Sequence, residues 1–417
     1  MKYDLIVVGG GAAGLLSAGH AGELGLNVLV LEKMPRVARK LRITGKGRCN
    51  ITNTAPLNEY FKHISPNPKF LYPAFKSFFN DDIVSFIENT LHVPTKEERG
   101  GRIFPVSDKA QDIVDGLYNW CIRNKVTIKT DTEISNLLIF EEELVGVLGT
   151  DEKEYYAKHV IMATGGKSYP LTGSTGIGHR ILKEQGHKIS PLLPALAPLN
   201  TKETNISDLM GVSLKNVSAS VYVNGKKHAS EFGEMLFAHF GLTGPIILTL
   251  SRTVNKLLHR GDDIEISIDF KPALNDEVMK ERLLREIEKF NKRRFDWVLK
   301  TLFPGKLVPF CAEYIKVPLE KPVSQITAKE RTRLHRFCKD LRFHITSTRP
   351  IEEAIVTAGG VHLNEINQKT MESKIIKGLY VVGELLDLDA DTGGYNLQIA
   401  WSTAWLAAES IAEDAKS

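Results

Sequence analysis

Cysteine, net charge and long apolar runs are all scarce in this chain, and each scarcity excludes something. Four cysteines occur in 417 residues: Cys49, Cys121, Cys311 and Cys338. None forms a C-x-x-C pair, which argues against a dithiol redox centre and a zinc site, and no metal is expected. Free thiols in a large chain fit a reducing compartment. Lys and Arg number 54 against 50 Asp and Glu. The resulting charge of +4 is too small for a function driven by whole-molecule electrostatics. No stretch reaches the ~20 apolar residues of a membrane helix. The opening MKYDLIVVGGG reads as a buried strand, its apolar run too short for a signal peptide. A cytoplasmic chain without membrane contact is expected. Against these absences stand 42% hydrophobic and 25% charged residues, enough to build cores for two or three globular domains.

Residues Tyr3 to Val8 are short, apolar and β-branched, which predicts a parallel strand. Glycines follow, then an Ala/Leu-rich helix from Ala12 to about Leu24, a stop at Gly25, and a second strand from Asn27 to Leu31. This is a βαβ unit, whose right-handed crossover makes the strands parallel neighbours. A helix is expected from about Lys109 to Arg123. After it come three strand-like runs, Glu133 to Phe140, Leu144 to Thr150 and Tyr155 to Ala163, with short polar connections that predict an antiparallel meander. GGKSYPLTGSTGIG reads as loop, and SPLLPALAPL, with three prolines, reads as a linker. Asn224-Gly225 predicts a hairpin turn, and Asp263 to Phe270 alternates like a strand. From about Asn275 to Arg342 the pattern is helical and basic. GLYVVGELLD is again a buried strand, and an Ala-rich helix from about Asn396 ends the chain. The simplest organisation is a discontinuous nucleotide-binding domain with an insertion in the middle.

The glycines after the first strand carry the first chemical signal. They read Gly9-x-Gly11-x-x-Gly14, follow a strand, open a helix and precede a second strand that ends in Glu32. In that context Gly9 permits the tight turn, Gly11 lets a pyrophosphate approach the backbone, and Gly14 lets the helix pack on the sheet. The helix start at Ala12 and Ala13 offers free N–H groups and a positive dipole end to phosphates. Glu32, followed by Lys33, lies about 20 residues beyond Gly11, where a carboxylate accepts ribose hydroxyls. The βαβ unit alone leaves FAD and NAD open, and the C-terminal return decides for FAD. There a strand ends in Gly383-Glu384-x-x-Asp387. Gly394-Tyr395-Asn396-Leu397 then opens a helix whose N-terminus suits the flavin pyrimidine edge, which gains negative charge on reduction. Val160 to Gly166, with Ala163, Thr164 and Gly165, adds another strand-to-glycine turn next to the nucleotide.

The run RKLRITGKGRCNITN, Arg39 to Asn53, is similar to the signature of the BaiN-like NAD(P)/FAD-dependent oxidoreductases, some of which are labelled aminoacetone-oxidase-like FAD-binding flavoproteins. GRIFPVSDKA, GEMLFAHFGLTGP, VTAGGV and GELLDLDADTGGYNLQIA extend the resemblance over most of the chain. Three positions depart from it. Ala38 and Ala404 stand where members carry glycine, and Ala238 stands where threonine is usual. The resemblance implies an α/β fold with a Rossmann-like two-part FAD-binding domain at 1–190 and 346–417. It further implies an inserted β-rich substrate domain at 191–274, with part of 320–345, and a small helical domain at 275–345. The implied activity is hydride transfer between FAD and a small organic substrate, with NAD(P)H as the linked donor.

The basic run sets cations near Thr44 and Gly45. Lys40 or Arg48 faces the flavin ring, its phosphate or an anionic substrate, unless the run is a solvated basic loop. Tyr395 offers a proton or packs as an aromatic. Lys40, Arg48 and Tyr395 are thus the catalytic candidates, and Lys40, Thr44, Gly45 and Tyr395 also count among the cofactor ligands. Cys49 reads as a small buried residue, and His239, in the apolar stretch LFAHFG, as a packed one. FNKRRF and RTRLHRFCKDLRFH interleave aromatics with basics, a composition that binds RNA. Solvated amphipathic helices explain it more simply, so nucleic acid is not the expected partner and an RNA-modification flavoprotein is the alternative. The substrate is expected between the flavin and the inserted domain. Gly173-x-x-Gly176-x-Gly178 lies behind a proline with its glycine order reversed, which leaves the nicotinamide donor without a domain of its own. On this reading denaturation releases FAD and not FMN. Chromatography of the released cofactor checks it, and FMN or no flavin contradicts it.

Overall fold

The computed structural model describes residues 2–141 and 143–416. The chain forms two compact units, one built from residues up to Leu193 and from Ile355 onward, the other from Pro194–Ala354.

In the first unit, Leu5 to Val8 and Val28–Leu31 are apolar at every position, which suits strands covered on both faces. All of these side chains are buried. Lys2–Val8 and Val28–Leu31 pair in parallel, joined through the helix Ala12–Glu23. Among the described residues the sheet has seven strands. Thr127–Lys129, Val28–Leu31, Lys2–Val8 and Glu154–Met162 lie in that order, followed by Glu143–Gly149 and Ile134–Phe140. The last three form the expected antiparallel meander, and Glu142, in one of its connections, lies outside the described residues. The strand Glu154–Met162 changes partner along its length. Its start pairs antiparallel with the meander, whereas Val160 to Met162 pair in parallel with Leu379–Val381 from the far end of the chain. That return leads into the helix Tyr395–Asp414, which packs against Ala12–Glu23. Its Trp401, Ala404, Ala407, Ala408 and Ile411 are buried in the same core.

The second unit is a closed barrel with helices. Its strands, in order, are Leu199–Thr201, Gly241–Thr243, Lys226–Ala238, Ser213–Val223, Ile264–Asp269 and Leu341–Thr348. Asn224 and Gly225 both hold positive φ, 49° and 79°, as a two-residue hairpin turn requires. Three sequence expectations give way here. SPLLPALAPL is not a free linker, because Ala195, Leu196, Ala197 and Leu199 are buried and Leu199–Thr201 is a barrel strand. Residues from 346 on do not yet belong to the nucleotide unit, because Leu341–Thr348 closes the barrel. Its Leu341, Phe343 and Ile345 point inward, a period of two that the intervening Arg342 and His344 disguise as more of the basic run. Finally, 275–345 is not a separate helical domain. Asp276–Lys289, Phe295–Leu302, Leu307–Ile315 and Ala328–Lys339 share one hydrophobic core with the barrel.

Among the described residues no helix is long and apolar enough to cross a membrane. The helices Ala12–Glu23 and Ala110–Arg123 approach so closely that a Cβ on Gly19 would lie 2.3 Å from the Trp120 ring, which is itself buried. Gly19→Ala is therefore expected to destabilise the first unit by about 1–3 kcal/mol, as overpacking of a rigid core does. A lowered melting temperature checks this, and an unchanged one contradicts it.

Candidate functional site

The turn after the first strand is shaped by what it excludes. A Cβ on Gly14 would lie 1.8 Å from the carbonyl oxygen of Gly9, and one on Gly9 would lie 2.6 Å from the oxygen of Ala163 and 3.0 Å from the Cα of Thr164. The turn at Ala163 to Gly165 is thereby pressed against the first one. A Cβ on Gly11 would meet nothing within 4 Å. Open space thus stands over the start of the helix Ala12–Glu23, whose first N–H groups have no partner within the helix. A turn closed to side chains at Gly9 and Gly14 but open at Gly11 fits a pyrophosphate.

Glu32 is buried at the tip of the second strand. Its Oε2 accepts the N–H of Gly10 at 2.7 Å and its Oε1 accepts that of Met34 at 2.8 Å. Burial raises its carboxyl above the ordinary range, against the lowering by these amides and by the charges of Lys33 and Arg39. Lys33, read as a cofactor ligand, instead donates to Thr175 Oγ1 at 2.7 Å and lies 3.7 Å from Glu133.

Lys40 and Glu384 meet across nearly the whole length of the chain. The Lys40 ammonium lies 2.8 Å and 3.1 Å from the two carboxylate oxygens and 2.7 Å from Ser168 Oγ. Thr357 N–H donates to Glu384 Oε1 at 2.9 Å. Burial pushes the Glu384 carboxyl up, but Lys40 and the amides of Thr357 and Gly166 outweigh it and hold the group below its ordinary value. Gly383, at φ 66°, brings the same loop to the glycine turn, since its Cβ would lie 3.3 Å from that of Ala13. A Cβ on Gly165 would lie 3.9 Å from Glu384 Oε2. Ser168 and Thr357 escaped sequence reading, although Thr357 stands inside VTAGGV.

The basic run is a helical segment, Arg39–Gly47, broken by non-helical backbone at Thr44, Gly45 and Lys46. Ala38, ahead of it, holds φ 55°, the left-handed region that costs a residue with a Cβ and costs glycine nothing. Thr44 Oγ1 donates to the Leu41 oxygen at 2.7 Å, and a Cβ on Gly45 would lie 3.1 Å from the Asn50 amide nitrogen. Arg48 turns elsewhere. It pairs with Glu98 and Asp108 and lies 4.2 Å over the Phe104 ring. Asp387 likewise accepts the Ser190 hydroxyl at 2.5 Å. Cys49 is fully buried, and burial pushes its thiol up to about 12. His239 is exposed rather than packed, its ring 5.0 Å from that of Phe240.

The helix Tyr395–Asp414 opens at Gly394, at φ 99°, whose Cβ would meet the Thr52 backbone at 2.4 Å. Asn53 Nδ2 donates to the Gly393 oxygen at 3.1 Å. Tyr395 is buried and meets Tyr60 edge-on at 4.7 Å, with a hydroxyl raised by burial and by the nearby Asp391 and Glu59. Asn396 grips the loop before the helix, its side chain bonding both N–H and oxygen of Ala390 at 2.9 and 2.7 Å. Leu397 packs partly buried on the core.

Residues 3–410 match the family described as HI0933-like protein Rossmann domain. The chain belongs to the HI0933-like family. This HI0933-like chain is 32% identical to the 3-dehydro-bile acid delta(4,6)-reductase of Clostridium scindens, over 98% of each chain. It is 30% identical to the ribosomal RNA dihydrouridine synthase of Haemophilus influenzae, over 97% of this chain and 98% of that one. Among solved structures, 3-ketosteroid delta1-dehydrogenase from Sterolibacterium denitrificans shares the fold, with a TM-score of 0.55 and 13% identity over 99% of this chain and 100% of that one. The resemblance carried by Arg39 to Asn53 thus holds, and this HI0933-like protein is an FAD-dependent oxidoreductase.

Glu32→Ala removes a charged acceptor worth roughly 1.5–3 kcal/mol for each hydrogen bond it makes. It is expected to weaken FAD binding about tenfold or more, read by titration of flavin fluorescence. An unchanged dissociation constant would take Glu32 out of the cofactor site.

Proposed function

We propose that the protein adds two hydrogen atoms across a carbon–carbon double bond conjugated to a carbonyl, FAD carrying the electrons from a nicotinamide donor to a small organic acceptor. One observation carries this reading. Nearly the whole chain matches two relatives whose substrates differ but whose chemistry is shared. A 3-dehydro delta(4,6)-reductase acts on double bonds conjugated with a 3-carbonyl. A dihydrouridine synthase saturates the uracil double bond beside a carbonyl.

FAD supplies the two-electron oxidation and reduction, and the chain binds and orients. Gly9, Gly11 and Gly14, with the N–H groups at Ala12 and Ala13, hold the pyrophosphate, and Glu32 holds the adenosine ribose. Ala163, Thr164, Gly165, Lys40, Gly383 and Glu384 line the cofactor further along. Thr44 and Gly45 bend the segment that carries Lys40. The first turn at Gly394, Tyr395, Asn396 and Leu397 turns the positive end of a helix dipole toward the charge gained on reduction. Gly173, Gly176 and Gly178 are packed against Met34, Lys167 and Thr164, so that run serves the FAD unit, and donor and acceptor use the flavin in turn.

A second reading, in which the double bond belongs to uracil in RNA, is favoured by the dihydrouridine synthase relative and by one surface feature. Trp297 is 45% exposed, with the Arg293 guanidinium 5.1 Å and the Lys300 ammonium 5.9 Å from its ring centre. An exposed aromatic between cations is a stacking face for a base.

Anaerobically, NADH or NADPH is expected to bleach the flavin band, and a conjugated enone, unlike an isolated alkene, to restore it. Initial rates with donor and acceptor both varied should give parallel double-reciprocal lines, and intersecting lines would refute alternating use. Restoration by RNA alone, weakened by salt and by Trp297→Ala, selects the second reading. Restoration by neither acceptor class removes both.

A further inference from the structure

The helix Tyr395–Asp414 opens beside a histidine to which sequence reading assigned nothing. His63 ends the short turn Phe61–His63. Its ring stacks on Tyr395, with centroids 4.4 Å apart and planes 20° apart. Its Nδ1 stands 2.9 Å from Oδ2 of Asp391. The backbone holds the pair independently of the side chains. Asp391 N–H donates to the His63 oxygen at 3.0 Å, and Ile64–Ser65 pairs antiparallel with Asp389–Ala390. The Asn396 side chain then ties Ala390 to the helix. The side chain of His63 is 37% exposed and that of Asp391 19%, so the ring is fixed on one side and reachable on the other.

His20, His159, His179 and His187 of this unit lack that combination. His20 is buried and stacked on Trp405. His159, His179 and His187 are buried, and burial lowers the pKa of each. His63 alone among these joins a carboxylate on one ring nitrogen, partial exposure, and contact with the first residue of the helix that faces the flavin in the proposed function.

We propose that His63 is the acid–base residue of the reaction, held by Asp391 with Nδ1 protonated, so that Nε2 delivers a proton to the acceptor. This rests on the double-bond reading above. Saturation of a conjugated double bond breaks its π bond and forms two C–H bonds. The β carbon takes a hydride, with both electrons, from the reduced cofactor, which a nicotinamide donor has reduced beforehand. The α carbon takes a proton from Nε2 of the His63 imidazolium. The neutral ring left behind regains a proton from solvent. Asp391 is a positioning residue. A carboxylate on one ring nitrogen sets the tautomer and with it which nitrogen faces the reaction.

The test uses the full chain loaded with FAD. Nitrogen-15 spectra of the neutral imidazole should show a protonated Nδ1 and a bare Nε2 at His63, assigned by loss of the signals in His63→Gln. Asp391→Asn should mix the two tautomers. In stopped flow, His63→Gln should be reduced by the nicotinamide donor within about threefold of the wild-type rate but reoxidised by a conjugated acceptor about 100-fold more slowly, the usual scale of a lost general acid. Asp391→Asn should slow reoxidation about tenfold through the misplaced tautomer. A protonated Nε2 in the neutral ring of the wild type, or reoxidation of His63→Gln at the wild-type rate, overturns the assignment. If His63→Gln loses its FAD, Asp391→Asn decides by the same two readouts. If the wild type itself is reoxidised by no conjugated acceptor, the double-bond reading fails and takes this assignment with it, an outcome distinct from a defect confined to the variants.

Discussion

A gap narrower than a methyl group underlies the cofactor unit. Where the helix Ala12–Glu23 leaves the first strand, a Cβ on Gly14 would sit 1.8 Å from the Gly9 oxygen. That contact sets how low the helix lies on the sheet. Because it starts so low, its free N–H groups face the space that Gly11 leaves open. For the same reason the amide of Gly10 reaches Glu32 at the tip of the neighbouring strand. Gly383 arrives against Ala13 from the other end of the chain. One larger residue at Gly14 would move every one of these groups.

The second organising contact is the ion pair of Lys40 and Glu384. Half-buried charges lose hydration, and such a pair repays that loss only when its remaining oxygens and protons are satisfied. Here Ser168 and Thr357 supply the extra bonds. The consequence is positional. The basic segment after the first βαβ unit, the turn after Val160 to Met162, and the C-terminal Gly-Glu loop are locked to a common point. All three are contributed by separate stretches of sequence.

Much of this was legible in the residues, and the failures share a cause. The βαβ unit, the meander and the hairpin at Asn224-Gly225 were readable because period and turn chemistry are local signals. The strand Leu341–Thr348 was missed although it alternates, because Arg342 and His344 extended a basic run that looked helical. SPLLPALAPL was misread because prolines suggest exposure, whereas Ala195 to Ala197 are buried. The pairing of Arg48 with Glu98 and Asp108 was not legible, because a motif shows a charge but not the carboxylates around it. His63 and Asp391 were invisible for a different reason, since only the pairing of Ile64–Ser65 with Asp389–Ala390 brings them together.

The pairing of Leu379–Val381 with Val160 to Met162 also orders events during synthesis. The glycine turn is made before the barrel unit, yet the strand and helix that complete its core are made after it. The barrel unit, Pro194–Ala354, is contiguous and has a core of its own. Domains fold as units as they emerge, so the barrel is finished while the nucleotide unit still waits for its final strand and helix. Flavin capture therefore waits until Leu379–Val381 and Tyr395–Asp414 have been made, because without them the nucleotide unit lacks part of its core.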